Sequence, residues 1–186
     1  MKKTLVLPPW MNIIKFYHTD IHEFRVSSGV LLPDVFDDDC VVGLSIGSLA
    51  VLEHIHSLKG MVILINPLVP HRSVWVWLWR WTRYVWGGLF VERQKFTLNP
   101  LRWVSAVRRV YVLATTDFSS VLATFPKERL IVIRNVGDTF FCDDTAVAYL
   151  RTHGVKVIEI PGGHNWNVYV EDEMNTQIEN ASLKAG

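Results

Sequence analysis

The chain is poor in cysteine. Only Cys40 and Cys142 occur in 186 residues, far apart. That excludes a disulfide-stapled scaffold and leaves no cysteine–histidine spacing for a structural metal. Neither sign of charge dominates. The formal net charge is +1 and no basic stripe stands out, which argues against a nucleic-acid partner. No apolar run is long enough to cross a bilayer, since the most apolar stretch, Val74 to Val91, is broken by Arg80 and Arg83. The opening Met1-Lys2-Lys3 resembles a secretory leader, but Pro8-Pro9 ends the apolar run after four residues, too few for a signal core. The expected compartment is the cytoplasm. Internal repeats and low-complexity segments are also missing. Hydrophobic residues make up 49% and charged residues 20%, the balance of a globular domain with a real core, and residues 1–186 are expected to form one domain.

What is present is alternation. Short continuous apolar runs at Thr4–Leu7, Gly29–Leu32, Cys40–Val42, Met61–Ile65, Val110–Ala114, Leu130–Arg134 and Lys156–Ile160 read as buried strands. Between them lie helical stripes. One is Ile14, Tyr17, Ile21 and Phe24 within Met11–Phe24; another is Val51, Leu52, Ile55 and Leu58, closed by Lys59-Gly60. A short helix around Ser120–Phe125 stops at Pro126. Asp143 or Asp144 should cap a helix running to Thr152, and Val170, Met174 and Ile178 mark a last helix before a frayed tail from Asn180. Asp37-Asp38-Asp39 reads as a solvated turn. Strands that are continuously apolar and alternate with helices predict an α/β fold, a mostly parallel sheet with helices on both faces. In such sheets functional residues stand just after strands.

Three residues meet that rule and fit together chemically. Ser45 lies in Gly43-Leu44-Ser45-Ile46-Gly47 at a strand-to-helix turn, where glycines let strand and helix approach and the serine is held in a strained conformation. Asp138 follows the Leu130–Arg134 strand, and His164 follows Lys156–Ile160. A serine hydroxyl needs a base to become nucleophilic, and the base needs a carboxylate to fix its tautomer. Asp117, after Val110–Ala114, is the rival acid; Asp138 is preferred because a glycine precedes it and it stands one strand before the histidine. His54, His56, His71 and His153 read as solvated side chains, and Cys142 as an ordinary thiol with no base beside it.

With its elbow, its acid and its Pro161-Gly162-Gly163-His164-Asn165 loop in the order Ser, Asp, His, the chain resembles the α/β-hydrolase superfamily over about residues 3–66 and 108–180. The resemblance implies a small member, shortened at the N-terminus, with Ser45, Asp138 and His164 catalytic. It also implies an oxyanion hole built from the N–H groups of Ile46 and of a residue after the first strand. That loop often reads His-Gly-aromatic in the family and here reads Pro8-Pro9-Trp10-Met11. Prolines have no N–H, so Trp10 is the first possible donor.

Residues 68–108 interrupt the alternation where the superfamily inserts a lid. Five of the eight tryptophans fall between Trp75 and Trp86. As a lid helix the segment would roof Ser45, with Trp75, Trp79 and Trp86 lining an acyl pocket; a core helix and a membrane-surface or partner contact are the other readings. The expected activity is hydrolysis of a small-molecule ester or thioester through an acyl-enzyme, with no cofactor and no metal. The alternative is an inactive hydrolase-like scaffold that binds a partner or membrane through the tryptophans.

Overall fold

The computed structural model describes residues 3–9, 14–18, 23–26, 40–89 and 100–185. Among them are six strands: β1 (Lys3–Leu7), β2 (Glu23–Val26), β3 (Cys40–Leu44), β4 (Met61–Ile65), β5 (Leu130–Asn135) and β6 (Lys156–Ile160). They form one sheet in the order β2-β1-β3-β4-β5-β6, and every pairing is parallel. The chain moves outward from β1 to β2, then returns across β1 to β3 and proceeds the other way. The switch point therefore lies between β1 and β3, and in open parallel sheets ligands bind there, beyond the carboxyl ends of the strands.

Successive side chains of a strand face opposite ways, so each strand feeds two cores. On β4 and β5, Val62, Leu64, Leu130 and Val132 join one cluster, whereas Ile63, Ile65, Ile131 and Ile133 join the other. The first cluster is covered by α1 (Gly47–His54), α2 (Val74–Tyr84), α3 (Pro100–Thr115), α4 (Ser119–Thr124) and α5 (Asp144–Thr152). The second is covered by α6 (Val168–Ala185), through Val170, Met174 and Ile178, with Ile14 and Phe16 beside it. Burial on both faces is why the strands are continuously apolar. Among the described residues no helix is long and apolar enough to cross a membrane.

Three expectations need correction and two fall outside the described residues. The helix expected over Met11–Phe24 is not formed where it is described: Ile14–His18 is irregular and Glu23–Val26 is strand β2. The buried Glu171 carboxylate accepts from the N–H groups of Tyr17 and His18, which a helix would have used internally. Val110–Ala114 is not a strand but the end of α3, since β4 pairs directly with β5 and leaves no slot between them. Burial there follows a helical period, with Arg109 and Leu113 inside and Tyr111 outside. The tail from Asn180 continues α6 to Ala185. The expected strand at Gly29–Leu32 and the turn at Asp37–Asp39 lie outside the described residues.

Candidate active site

Ser45 sits between the end of β3 and the start of α1, with φ of 55°, a left-handed conformation that serine seldom adopts. Its neighbours hold it there. The Ser45 N–H donates to Ile65 O at 2.8 Å, and the Ser48 hydroxyl donates to Gly43 O at 2.9 Å. The flanking glycines are steric necessities. A Cβ on Gly43 would lie 2.7 Å from Ser48 Cα, and one on Gly47 would lie 2.3 Å from Leu7 O. The second clash shows that the end of β1 passes directly over the start of α1, which places the serine at the switch point.

His164 reaches Ser45 from the loop after β6. Its Nε2 stands 2.7 Å from Ser45 Oγ and its Nδ1 stands 2.6 Å from Asp138 Oδ2. All three side chains are buried. The carboxylate can only accept, so Nδ1–H donates to it, which leaves the Nε2 lone pair to accept the serine proton. The loop after β5 wraps around Asp138. The N–H groups of Phe140 and Phe141 donate to Oδ1 and that of Cys142 to Oδ2, each at 3.1 Å. Burial alone would raise the Asp138 pKa; the charge and hydrogen bond of His164, with the Phe141 and Cys142 N–H groups, outweigh it and hold the carboxyl below its ordinary value.

Further groups support this frame. Asn66, at the end of β4 with φ of 45°, donates from Nδ2 to His164 O at 2.9 Å and accepts from Asn135 N–H at 2.8 Å. It therefore ties β4, β5 and the histidine loop together. Tyr84, on the last turn of α2, donates to Asn165 Oδ1 at 2.7 Å and meets the His164 ring edge-on at 5.1 Å between centroids. Phe141 packs against the same imidazole at 4.6 Å. Asp143 caps α5 by accepting from Ala146 N–H, and it also receives Arg72 and Arg80 from the α2 segment. Burial opposes its ionisation, but the two guanidinium groups prevail and take its pKa down to about 2. Arg80 also donates to Phe140 O at 2.9 Å, so α2 is pinned to the loop that cradles Asp138.

Asp117 is not in this group. It is exposed, follows α3 rather than a strand, and accepts from Ser119 at the start of α4. Cys142 is fully buried, and burial with the nearby Asp138 charge pushes its thiol pKa far up, so it is not a thiolate. The Ile46 N–H lies ahead of the first intrahelical bonds of α1, the position from which an oxyanion donor would act. Trp10 lies outside the described residues. The three tryptophans expected around the pocket face outward: Trp75 is 76% exposed, Trp79 58% and Trp86 75%. The inward stripe of α2 is Trp77, Arg80, Trp81 and Tyr84, one helical register away, and Trp77 is 4% exposed. Among the described residues no group of three or more His, Cys, Asp or Glu side chains could hold a metal.

Sequence reasoning did not single out Asn66 or Tyr84. Asn66 obeys the same positional rule as the triad candidates, being the first residue after a strand. Tyr84 carried no signal beyond its place in an aromatic segment.

No family model matches the sequence, and no curated protein matches it. Solved structures do match in shape. A meta-cleavage product hydrolase from Pseudomonas fluorescens IP01 aligns over 100% of this chain and 92% of its own, with a TM-score of 0.57 and 12% identity. The N-formylmaleamic acid deformylase of Pseudomonas putida S16 aligns over 94% and 91%, with a TM-score of 0.56 and 13% identity. The ydeN gene product of B. subtilis aligns over 96% and 100%, with a TM-score of 0.54 and 10% identity. At these identities the likeness is one of fold.

Proposed function

Since the chain has the α/β-hydrolase fold, we propose that it is a serine hydrolase that cleaves an ester or thioester through an acyl-enzyme. The observation that carries this reading is the buried relay from Ser45 Oγ to His164 Nε2 at 2.7 Å and from His164 Nδ1 to Asp138 Oδ2 at 2.6 Å. In the proposed reaction Ser45 Oγ attacks the carbonyl carbon while its proton passes to Nε2. The imidazolium is stabilised by Asp138 and gives that proton to the leaving alcohol or thiol. Water then enters, loses a proton to Nε2 and releases the acid, returning the proton to Ser45. The Ile46 N–H, with that of Trp10, would hold the oxyanion. In this reading α2 would be a roof rather than a loose flap, because Tyr84, Arg72 and Arg80 fasten it to the histidine and acid loops. Tyr84, Phe140 and Phe141 make the surroundings of the imidazole aromatic, which supports an apolar acyl group.

The test is hydrolysis of a p-nitrophenyl ester series from acetate to octanoate. Turnover is expected, rising with chain length, and Ser45→Ala and His164→Ala should each remove about a thousandfold or more without additive loss in the double variant. Hydrolysis that survives Ser45→Ala would refute the proposal.

A further inference from the structure

Helix α2 is apolar on two sides, and the fold uses only one. Trp77 and Tyr84 enter the core, yet Trp75, Leu78 and Trp79 form a second stripe at i, i+3 and i+4 on the opposite side, all exposed. Trp86, seven residues beyond Trp79, adds a fourth large exposed side chain. Helix α3, which packs beside α2, repeats the pattern: Leu101, Val104 and Tyr111 are exposed at 56, 66 and 70% on one face. Apolar patches of this extent on a soluble surface mark a docking face.

The charges decide what docks. Helices α2 and α3 contain five arginines and no acidic residue. Residues 68–108 hold seven of the Lys and Arg residues and one of the Asp and Glu residues, leaving twelve and seventeen to the rest of the chain. The segment therefore carries +6 and the remainder −5, a polarity that the net charge of +1 conceals. Arg83 lies over the exposed Trp79 ring, 4.8 Å from its centroid, and Arg108 is exposed on the α3 face. A second copy meeting this face through a two-fold axis would bring Arg83 and Arg108 against their own copies with no acidic residue of either helix between them, which opposes a symmetric dimer. A lipid surface has no such difficulty. Tryptophan settles at the headgroup boundary, and arginine pairs with anionic headgroups.

We propose that the outward face of α2 and α3 docks on an anionic lipid surface, with Trp75, Leu78 and Trp79 entering the interface and Arg83 and Arg108 pairing with phosphates. This docking does not depend on the hydrolase reading.

The experiment is co-sedimentation of the full chain with vesicles of phosphatidylcholine alone and of phosphatidylcholine mixed with phosphatidylglycerol. Binding to the mixed vesicles should be about tenfold or more tighter and should weaken as salt is raised. Trp75→Ala with Trp79→Ala, and separately Arg83→Glu with Arg108→Glu, should each lower it on the order of tenfold. Both pairs are exposed, so the melting temperature should stay close to wild type. Ser45→Ala should bind as wild type, which separates this claim from catalysis. Equal binding to both vesicles or no binding would overturn it. So would a dimer in solution that the tryptophan pair dissolves.

Discussion

Replacing Asp138 by asparagine is the substitution whose outcome the geometry constrains most. Both carboxylate oxygens face donors. Oδ1 accepts from Phe140 and Phe141 N–H, and Oδ2 from Cys142 N–H and His164 Nδ1. An amide must point its NH2 group at one of these pairs. Aimed at the Oδ1 site it confronts two backbone N–H groups that cannot change. Aimed at the Oδ2 site it confronts one, and the imidazole can adapt by moving its proton to Nε2. The second orientation is favoured, and it locks His164 in the tautomer that cannot accept the serine proton. The expected loss in kcat is about 10⁴-fold, or about 5 kcal/mol of transition-state stabilisation. One unpaired buried N–H also remains, which costs about 1–3 kcal/mol of stability, so circular dichroism must show the variant folded at the assay temperature. Ester hydrolysis is compared with that of Asp117→Asn, which alters only exposed contacts, with Ser119 at the start of α4 and with the Tyr149 hydroxyl of α5, and should stay within about twofold of wild type. An Asp138→Asn enzyme that keeps a tenth of kcat, or an Asp117→Asn enzyme that loses more, would refute the reasoning.

Other outcomes follow from the same geometry. Asp143→Asn keeps a helix-capping side chain but removes the charge that Arg72 and Arg80 hold. Because the folded pKa is depressed to about 2, below the ordinary aspartate value of about 3.9, the stabilisation exists above that ordinary value and fades as pH falls toward the folded one. The melting-temperature gap between wild type and variant should thus be widest above pH ~4 and close on acidification, and a gap independent of pH would contradict it. Gly47→Ala should cost about 1–3 kcal/mol or more in denaturant unfolding, because its Cβ meets the Leu7 carbonyl at 2.3 Å. Gly87→Ala, whose Cβ would meet Phe140 at an ordinary 3.6 Å, should not. Trp77→Ala should cost about 3–5 kcal/mol and Trp75→Ala within about 0.5 kcal/mol, because one ring is buried and the other is in solvent.

The central strands were legible in the sequence because two-sided burial writes itself as apolar runs, as in Met61–Ile65 and in the Leu-Ile-Val-Ile that opens Leu130–Arg134. The same rule failed at Val110–Ala114. Five apolar residues cannot announce whether they belong to a sheet or to the end of a helix, and only the direct pairing of β4 with β5 decides it. Strand β2 was lost in an apparent helical stripe, since an edge strand such as Glu23–Val26 need not be apolar throughout. Ser45, Asp138 and His164 could be nominated from position alone, and the fold brings them within hydrogen-bond reach. The tryptophans were misassigned for a reason of register. A helix with aromatic residues on most sides gives periodicity no means to choose its inner face, whereas the ion pairs of Arg72 and Arg80 with Asp143 rotate Trp77 and Tyr84 inward.

The central claim is that Ser45 is an activated nucleophile. Treatment of the folded protein with a fluorophosphonate, followed by mass spectrometry, tests it directly. One adduct is expected, on the peptide that carries Ser45, abolished by Ser45→Ala and slowed on the order of a hundredfold or more by His164→Ala. A folded protein that takes up no label, or takes it up elsewhere with Ser45 unmodified, would contradict the account.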